Sequence, residues 1–219
     1  MDSTFFYSGD RLPVAGDIPD GTTILLFGDT FNQPLNKGVL PNTVTGISFG
    51  IGYNQKIKPG VLPYRLKNLH FFGSNYNHTI GKHVLPHHLE ELVLRDNYNK
   101  PFKLGVLDHL INLVYLDLGP SYNQDIAPHT LPPRLKMLIL GKNFNKPLDS
   151  NNIPHSLEYL EIESTNYTYP LDFLISYPNI QSVYVNPRQK NLSEHLKIVN
   201  FNKKMMAVEL TKYLLSKIN

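Results

Sequence analysis

The chain has 219 residues, no cysteine and a formal net charge of +3 at pH 7. The lack of cysteine excludes disulfides, thiolate catalysis and cysteine-based zinc sites, and the scattered lysine and arginine residues argue against nucleic-acid binding, which favours a basic stripe. Hydrophobic residues make up 41% of the chain, which is enough for a core, and no apolar run reaches the roughly 20 residues that span a bilayer.

Residues 1–17 form the first predicted element. They contain Phe5, Phe6 and Tyr7, and we expect them to cover the open end of the repeats that follow, as an N-terminal cap. The segment has no basic leader and no long apolar run, so we do not expect a secretory signal peptide.

A repeat of 22 to 24 residues occupies residues 18–185. Each copy contains an aromatic residue followed by Asn, except that Thr replaces Asn in the last copy. The pairs are Phe31 and Asn32, Tyr53 and Asn54, Tyr76 and Asn77, Tyr98 and Asn99, Tyr122 and Asn123, Phe144 and Asn145, and Tyr167 and Thr168. Such regular self-similarity is typical of stacked repeat proteins.

Three apolar residues precede each aromatic pair, and the last two are spaced two apart, as on one face of a strand. Examples are Val44, Ile47 and Phe49, then Leu66, Leu69 and Phe71, then Leu89, Leu92 and Leu94; a degraded first copy is Thr22, Leu25 and Phe27. A period of about 22 residues is too short for a strand, a full helix and two ordinary loops. The pattern therefore predicts a parallel β-solenoid with one short strand per coil and one shared core.

The asparagines are predicted to form a hydrogen-bonded ladder between coils. Backbone groups that turn inward at solenoid corners need partners, and a side-chain amide can both donate and accept. The predicted ladder consists of Asn32, Asn54, Asn77, Asn99, Asn123 and Asn145.

The sequences FNQPL (31–35) and LPPRLKMLILGKNFNKPL (131–148) resemble FNIP repeats. This family is similar to leucine-rich repeats and is abundant in social amoebae and in large amoeba-infecting DNA viruses. The resemblance covers about 18–185 and implies a curved, leucine-rich-repeat-like solenoid. Many viral members carry an F-box before the repeats, which implies a substrate receptor in a ubiquitin ligase, but here the repeats begin almost directly and the F-box does not carry over.

Several positions depart from the family pattern, and we expect local irregularity there. Arg95 and Glu163 replace the Gly that commonly follows the strand, Thr168 replaces Asn, and Leu107 and Asp108 replace Leu-Pro.

Residues 186–219 end the chain and are predicted to form a C-terminal helical cap. The stretch KKMMAVELTKYLLSKIN (203–219) has apolar residues at helical spacing, and the last coil of a solenoid needs a cover. A partner-binding amphipathic helix is the alternative.

Catalytic and metal-binding patterns are absent from the sequence. His83, His87 and His88 have no cysteine or carboxylate at a zinc-binding spacing, and neither a phosphate-binding loop nor a nucleophile elbow is present. Glu161 and Glu163 are read as a solvated charged face rather than as a glycosidase pair. We therefore expect no catalytic residue, no metal and no cofactor.

The remaining candidate is the sheet face that points away from the core, whose side chains form two columns. One column runs through Leu26, Ser48, His70, Val93, Asp117, Ile139, Glu161 and Tyr184; its neighbour runs through Ile24, Gly46, Asn68, Glu91, Tyr115, Met137, Tyr159 and Ser182. Aromatic residues beside charges are typical of an interface. The predicted partner-binding residues are His70, Tyr115, Asp117, Met137, Ile139, Tyr159, Glu161 and Tyr184.

The sequence thus predicts a non-enzymatic scaffold that presents a concave strand face to a protein partner, with capture of a host protein for ubiquitination as one setting. It predicts neither a nucleic-acid nor a membrane partner, and it favours the cytoplasm, or the host cytoplasm for a viral protein. The alternatives are a structural or self-associating protein and a carbohydrate-binding surface, the latter weakened by the lack of Trp. A hydrolase is the least favoured.

Overall fold

The computed structural model describes residues 3–185, in which nine short strands and one 3-10 helix alternate with turns. The strands are β1 (Thr4–Tyr7), β2 (Ile24–Phe27), β3 (Gly46–Phe49), β4 (Asn68–Phe71), β5 (Glu91–Leu94), β6 (Tyr115–Asp117), β7 (Met137–Leu140), β8 (Tyr159–Ile162) and β9 (Ser182–Val185). The 3-10 helix, Asp172–Ser176, precedes β9.

The strands form a single nine-stranded parallel sheet in chain order, from β1 to β9. Equivalent positions of successive repeats are aligned: Leu69 of β4 lies beside Leu92 of β5, and Leu92 lies beside Leu116 of β6. This register confirms the predicted leucine-rich-repeat-like parallel β-solenoid with one short strand per coil. The predicted C-terminal helical cap, 186–219, lies outside the described residues.

β1 is a strand that the sequence analysis did not predict, since no aromatic-asparagine pair follows it. It pairs in parallel with β2, so that Thr4 lies beside Ile24 and Tyr7 beside Phe27. The Tyr7 ring is 5.8 Å from that of Phe27 and 5.5 Å from that of Phe31. The solenoid sheet therefore begins within the segment predicted as a cap, and a capping role for residues 1–17 stays a prediction.

The core lies on one side of the sheet and is built from the repeated apolar residues. Leu89, Leu92 and Leu94 are completely buried, as are their counterparts Leu113, Leu116 and Leu118 in the next coil. The last trio is less regular, because Ile180 is only partly buried. Side chains two apart on a strand share a face, so each coil covers the apolar side of its neighbour.

The repeated aromatic residues form a second feature of the core, a continuous stack. Consecutive ring centroids are 5.8 to 6.4 Å apart, and the ring planes lie within 18° of parallel. The stack runs through Phe31, Tyr53, Tyr76, Tyr98, Tyr122, Phe144 and Tyr167. Parallel rings at this separation are offset rather than face to face, which fits coils that are stacked with a constant shift.

Beside the stack, hydrogen bonds link the asparagines of successive coils. From Asn54 onward, the backbone N–H of each asparagine in the series donates to the side-chain Oδ1 of the asparagine one coil earlier, over 2.9 to 3.2 Å. The series joins Asn32, Asn54, Asn77, Asn99, Asn123 and Asn145 in order. These bonds satisfy backbone donors at the corner, where no strand ladder is available.

A tight turn precedes each strand at the Leu-Pro positions. In four coils the N–H of a buried leucine donates to the carbonyl oxygen of the proline three residues earlier, as Leu89 does to Pro86. Val44 donates to Pro41 and Thr22 donates to Pro19 in the same way. In the coil that lacks Leu-Pro, Leu113 donates to Leu110 in the same way. The irregularity expected at 107–108 therefore leaves the turn intact. Within residues 3–185 no helix has the length and apolar character of a membrane span.

Candidate functional site

The sheet face that points away from the core, here called the second sheet face, carries the two predicted columns in register. In the first column Asp117 lies beside Ile139, and Ile139 beside Glu161. In the second column Tyr115 lies beside Met137, and Met137 beside Tyr159. His70 and Tyr184 belong to the first column, at β4 and β9. The structure thus brings all eight predicted partner-binding residues onto one face.

These residues are less accessible than the sequence analysis expected. Tyr115, Asp117, Ile139, Glu161 and Tyr184 are all at most 7% exposed, while His70, Met137 and Tyr159 are half-buried. The reason is lateral packing: strands about 4.8 Å apart place large side chains against each other. Their part in partner binding stays a prediction.

An apolar cluster forms the centre of this face. It consists of Val93, Tyr115 and Ile139, with Met137 packed against it. Below it, His70 Nε2 lies 3.5 Å from Glu91 Oε2. The cluster gives this face of the later coils an apolar centre bordered by charged groups, which is the composition of an interface core with a polar rim.

The first charged group beside the cluster is an ion pair between Arg95 and Asp117. Arg95 Nε donates to Asp117 Oδ2 over 2.8 Å, and the Gly119 N–H donates to Asp117 Oδ1 over 2.9 Å. The Asp117 side chain is 2% exposed and that of Arg95 is 45% exposed. Burial raises the pKa of Asp117, and the guanidinium and the Gly119 N–H offset part of that rise.

Glu161 is the second charged group, and its environment differs sharply. The residue is 4% exposed, and its Oε2 atom has no hydrogen-bond partner. Burial first, then the neighbouring carboxylates Glu163 and Asp117, raises the pKa of Glu161 to about 8, against a smaller lowering by Arg95. The interpretation of Glu161 as part of a solvated face is therefore wrong, because Ile139 and Tyr184 flank it on the adjoining strands.

A pocket of about 270 Å³ opens between these groups at the carboxyl ends of β5 to β8. Its lining consists of Arg95, Asp96, Asp117, Gly119, Pro120, Ile139, Gly141, Lys142, Glu161 and Glu163. We call it the glycine-gap pocket.

The glycine-gap pocket exists because two successive coils have no side chain where the coils on either side carry Arg95 and Glu163. Gly119 has a φ of 72°, and a Cβ there would lie 2.7 Å from the Leu94 carbonyl oxygen. A Cβ on Gly141 would collide with the backbone of Gly119 and Pro120. Close stacking of the coils thus requires glycine, and the gap is its consequence. The sequence marks Arg95 and Glu163 as departures from the repeat but does not reveal the pocket.

A polar groove of about 400 Å³ runs along the asparagine corner of the later coils. Its lining is Asn99, Ser121, Asn123, Lys142, Asn143, Asn145, Ser164 and Asn166. The ladder bonds already engage Asn99 and Asn123. In the described part of the chain, no three histidine or carboxylate side chains are grouped as metal ligands.

The parallel sheet, the shared core and the repeated corners define a leucine-rich-repeat-like scaffold. The FNIP Repeat family matches residues 14–51, 53–95, 98–142 and 122–165. These matches cover more than half of the chain, and the chain belongs to the FNIP repeat family.

Comparison with solved structures identifies a giant-virus protein of similar architecture. CroV588, described as a novel circular LRR protein, superimposes with a TM-score of 0.65 at 27% sequence identity. The match covers 89% of this chain and 32% of that one, so the chain spans about a third of the length of its structural relative. No curated protein matches the chain.

Proposed function

We propose that the protein is a non-enzymatic scaffold that binds a protein partner on its second sheet face. The observation that carries this proposal is the juxtaposition, on one rigid sheet, of the apolar cluster around Tyr115 and Ile139 with the charged glycine-gap pocket. Apolar centres with charged rims are what protein interfaces require. Leucine-rich-repeat-like scaffolds generally bind proteins, which supports the same assignment.

Capture of a host protein for ubiquitination, in the cytoplasm, is the setting we propose for this binding. It rests on the resemblance to viral relatives that carry an F-box. Co-purification of ubiquitin-ligase subunits with the tagged protein is the expected result, and a partner set without any ligase subunit would contradict this setting while leaving the scaffold proposal intact.

Site-specific photo-crosslinking tests where the partner binds. A photoreactive amino acid is introduced at Ser48 or Met137 on the second sheet face, and at Lys37 or Ile111 as exposed positions elsewhere. We expect discrete adducts with one protein from the first two positions and none from the controls. Adducts from the control positions alone would overturn the proposal.

Self-association is the second candidate, favoured by β1. Among the described residues this strand pairs only with β2, and Phe6 is 58% exposed on it. An unpaired strand edge can pair with another chain. Light scattering over a range of concentrations distinguishes the two candidates, because a scaffold that works as a monomer keeps one mass whereas edge pairing increases the mass with concentration.

A further inference from the structure

We propose that the glycine-gap pocket binds the cationic end of one lysine or arginine side chain of the protein partner. This inference rests on the proposed function, because it assigns a specific contact to the face that binds the partner. It follows from four features of the pocket: its charge, an unpartnered carboxylate, its size and its apolar wall.

The pocket has an excess of carboxylates over available cations. Its lining contains Asp96, Asp117, Glu161 and Glu163 against Arg95 and Lys142. Arg95 already forms an ion pair with Asp117 at 2.8 Å, and Lys142 is exposed. The ion pairs of the described residues do not join Lys142 to Glu161 or Glu163. Glu163, together with Glu161 once it is ionised, therefore favours a cationic occupant and disfavours an anionic one.

The Oε2 atom of Glu161 provides the second, independent feature. Glu161 lines the pocket and is 4% exposed, and its Oε2 atom is buried without a hydrogen-bond partner. A buried polar atom without a hydrogen-bond partner destabilises the fold. A ligand in the pocket that donates a hydrogen bond to this atom removes that penalty, which favours binding. Ammonium and guanidinium groups donate several N–H bonds and accept none, which matches an acceptor that is both buried and acidic.

The size and the apolar wall favour a side chain over a metabolite or a metal ion. The volume of about 270 Å³ lies just below the roughly 300–1,000 Å³ of pockets that hold drug-sized ligands. Ile139 forms one wall and can pack against the methylene stem that lysine and arginine carry behind the charge. In the described residues the donor groups are not arranged as metal ligands, which leaves an organic cation as the matching occupant.

Binding is coupled to the ionisation of Glu161. The charged groups that face it are Asp117 from β6, Glu163 at the end of β8 and Arg95 after β5, while the adjoining strands contribute Ile139 and the phenol of Tyr184. Because the pKa of Glu161 is about 8, its side chain is protonated at neutral pH, and a bound cation displaces that proton. Affinity for a cation should therefore increase from pH 6.5 to pH 9.

Amide chemical shifts of Gly119 and Gly141 test the proposal in the full chain. The probes are N-acetyl-lysine methylamide and N-acetyl-arginine methylamide, with N-acetyl-norleucine methylamide as the uncharged match for the lysine stem. We expect saturable shifts at both glycines with the two cationic probes and none with norleucine. Binding of n-butylammonium without binding of either capped residue would overturn the side-chain assignment in favour of a free amine.

Two variants make the test specific. Glu161→Gln keeps the shape of the side chain and removes its charge, and we expect it to weaken the lysine probe by at least about tenfold. Glu163→Gln is the second variant in case the first does not fold, and a smaller loss is expected. Asp125→Asn is the matched control, because that carboxylate is 79% exposed and lies outside the pocket.

The outcomes separate this inference from the proposed function. Equal binding of the lysine probe by the wild type and a folded Glu161→Gln variant would overturn the pocket assignment, as would unshifted glycine amides at pH 9. If Ser48 and Met137 still crosslink to one partner in that case, the scaffold proposal stands alone. If the crosslinks also fail, both are wrong.

Discussion

Glu161 shows how far the environment of a single residue can depart from its sequence pattern. Its position in a column of the second sheet face follows from the repeat, and the structure places it there beside Ile139 and Tyr184. Its burial does not follow, since periodicity gives the face that a side chain occupies but not how closely its neighbours pack over it. The departures at Arg95 and Glu163 were visible in the sequence, whereas the gap between them depends on how the coils stack.

The stability of the protein should depend on pH through Glu161. Between pH about 4.5 and 8 the folded state holds a proton that the unfolded chain releases, because the pKa of Glu161 is raised to about 8 in the fold. The free energy of unfolding attributable to this residue therefore falls as pH rises across that interval. Glu161→Gln should match the wild type near pH 5 and exceed it above pH 8, by on the order of 4 kcal/mol.

Thermal unfolding at pH 5, 7 and 9 measures this difference, with Asp125→Asn as the control for loss of an exposed carboxylate. A Glu161→Gln variant that is equally destabilised at all three pH values would show that Glu161 is ionised and stabilised in the fold.

Substitution of Asn99 measures how much the asparagine ladder contributes to the free energy of unfolding. The Asn99 Oδ1 accepts hydrogen bonds from the Asn123 N–H at 3.0 Å and from Gln124 Nε2 at 2.9 Å. Asn99→Leu leaves these donors without that acceptor, and we expect a loss of about 1–3 kcal/mol in unfolding free energy, or several degrees in Tm. Asn36→Leu, at an exposed position outside the ladder, is the control, and an unchanged Tm for Asn99→Leu would contradict a stabilising ladder.

At the scale of the element, two sequence features determine the structure of each coil: the apolar trio and the pair formed by an aromatic residue and the asparagine after it. The trio could be predicted from the sequence because a spacing of two fixes the buried face of a strand, and the structure buries Leu89, Leu92 and Leu94 completely. β1 could not be predicted in the same way, because TFFY is followed by no repeat signature. Its assignment depends on pairing with Ile24–Phe27, which is a tertiary contact.

Two buried tyrosines, Tyr98 in the aromatic stack and Tyr177 outside it, should respond in opposite ways to substitution by phenylalanine. The Tyr98 hydroxyl is buried without a hydrogen-bond partner, and Phe31 and Phe144 already occupy equivalent positions in the stack. Tyr98→Phe should therefore maintain or raise stability. Tyr177→Phe should lower it by about 1 kcal/mol, because the Tyr177 hydroxyl donates to the Ile153 carbonyl over 2.7 Å.

Denaturant unfolding of the two variants provides the comparison, since each removes one hydroxyl and leaves the ring in place. A loss for Tyr98→Phe as large as that for Tyr177→Phe would mean that the Tyr98 hydroxyl is satisfied in solution.

At the scale of the whole molecule, the stacked coils combine a shared core on one side with a continuous surface on the other. Each coil contacts its neighbours in chain order, as the strand pairing from β1 to β9 shows. This architecture could be predicted from the period and the apolar trio, and the family and structural comparisons confirm it. The partner could not be predicted, because the repeat specifies the scaffold, whereas the proposed binding surface consists of residues that differ from coil to coil, such as Tyr115, Asp117 and Glu161.

Methyl NMR of the protein bound to its crosslinked partner shows whether the partner occupies the second sheet face. We expect shifts at Val93, Met137 and Ile139, which belong to the second sheet face, and unshifted signals from Ile111 and Ile175, which are exposed elsewhere. Shifts at Ile111 and Ile175, with the methyl signals of the apolar cluster unchanged, would contradict binding on that face.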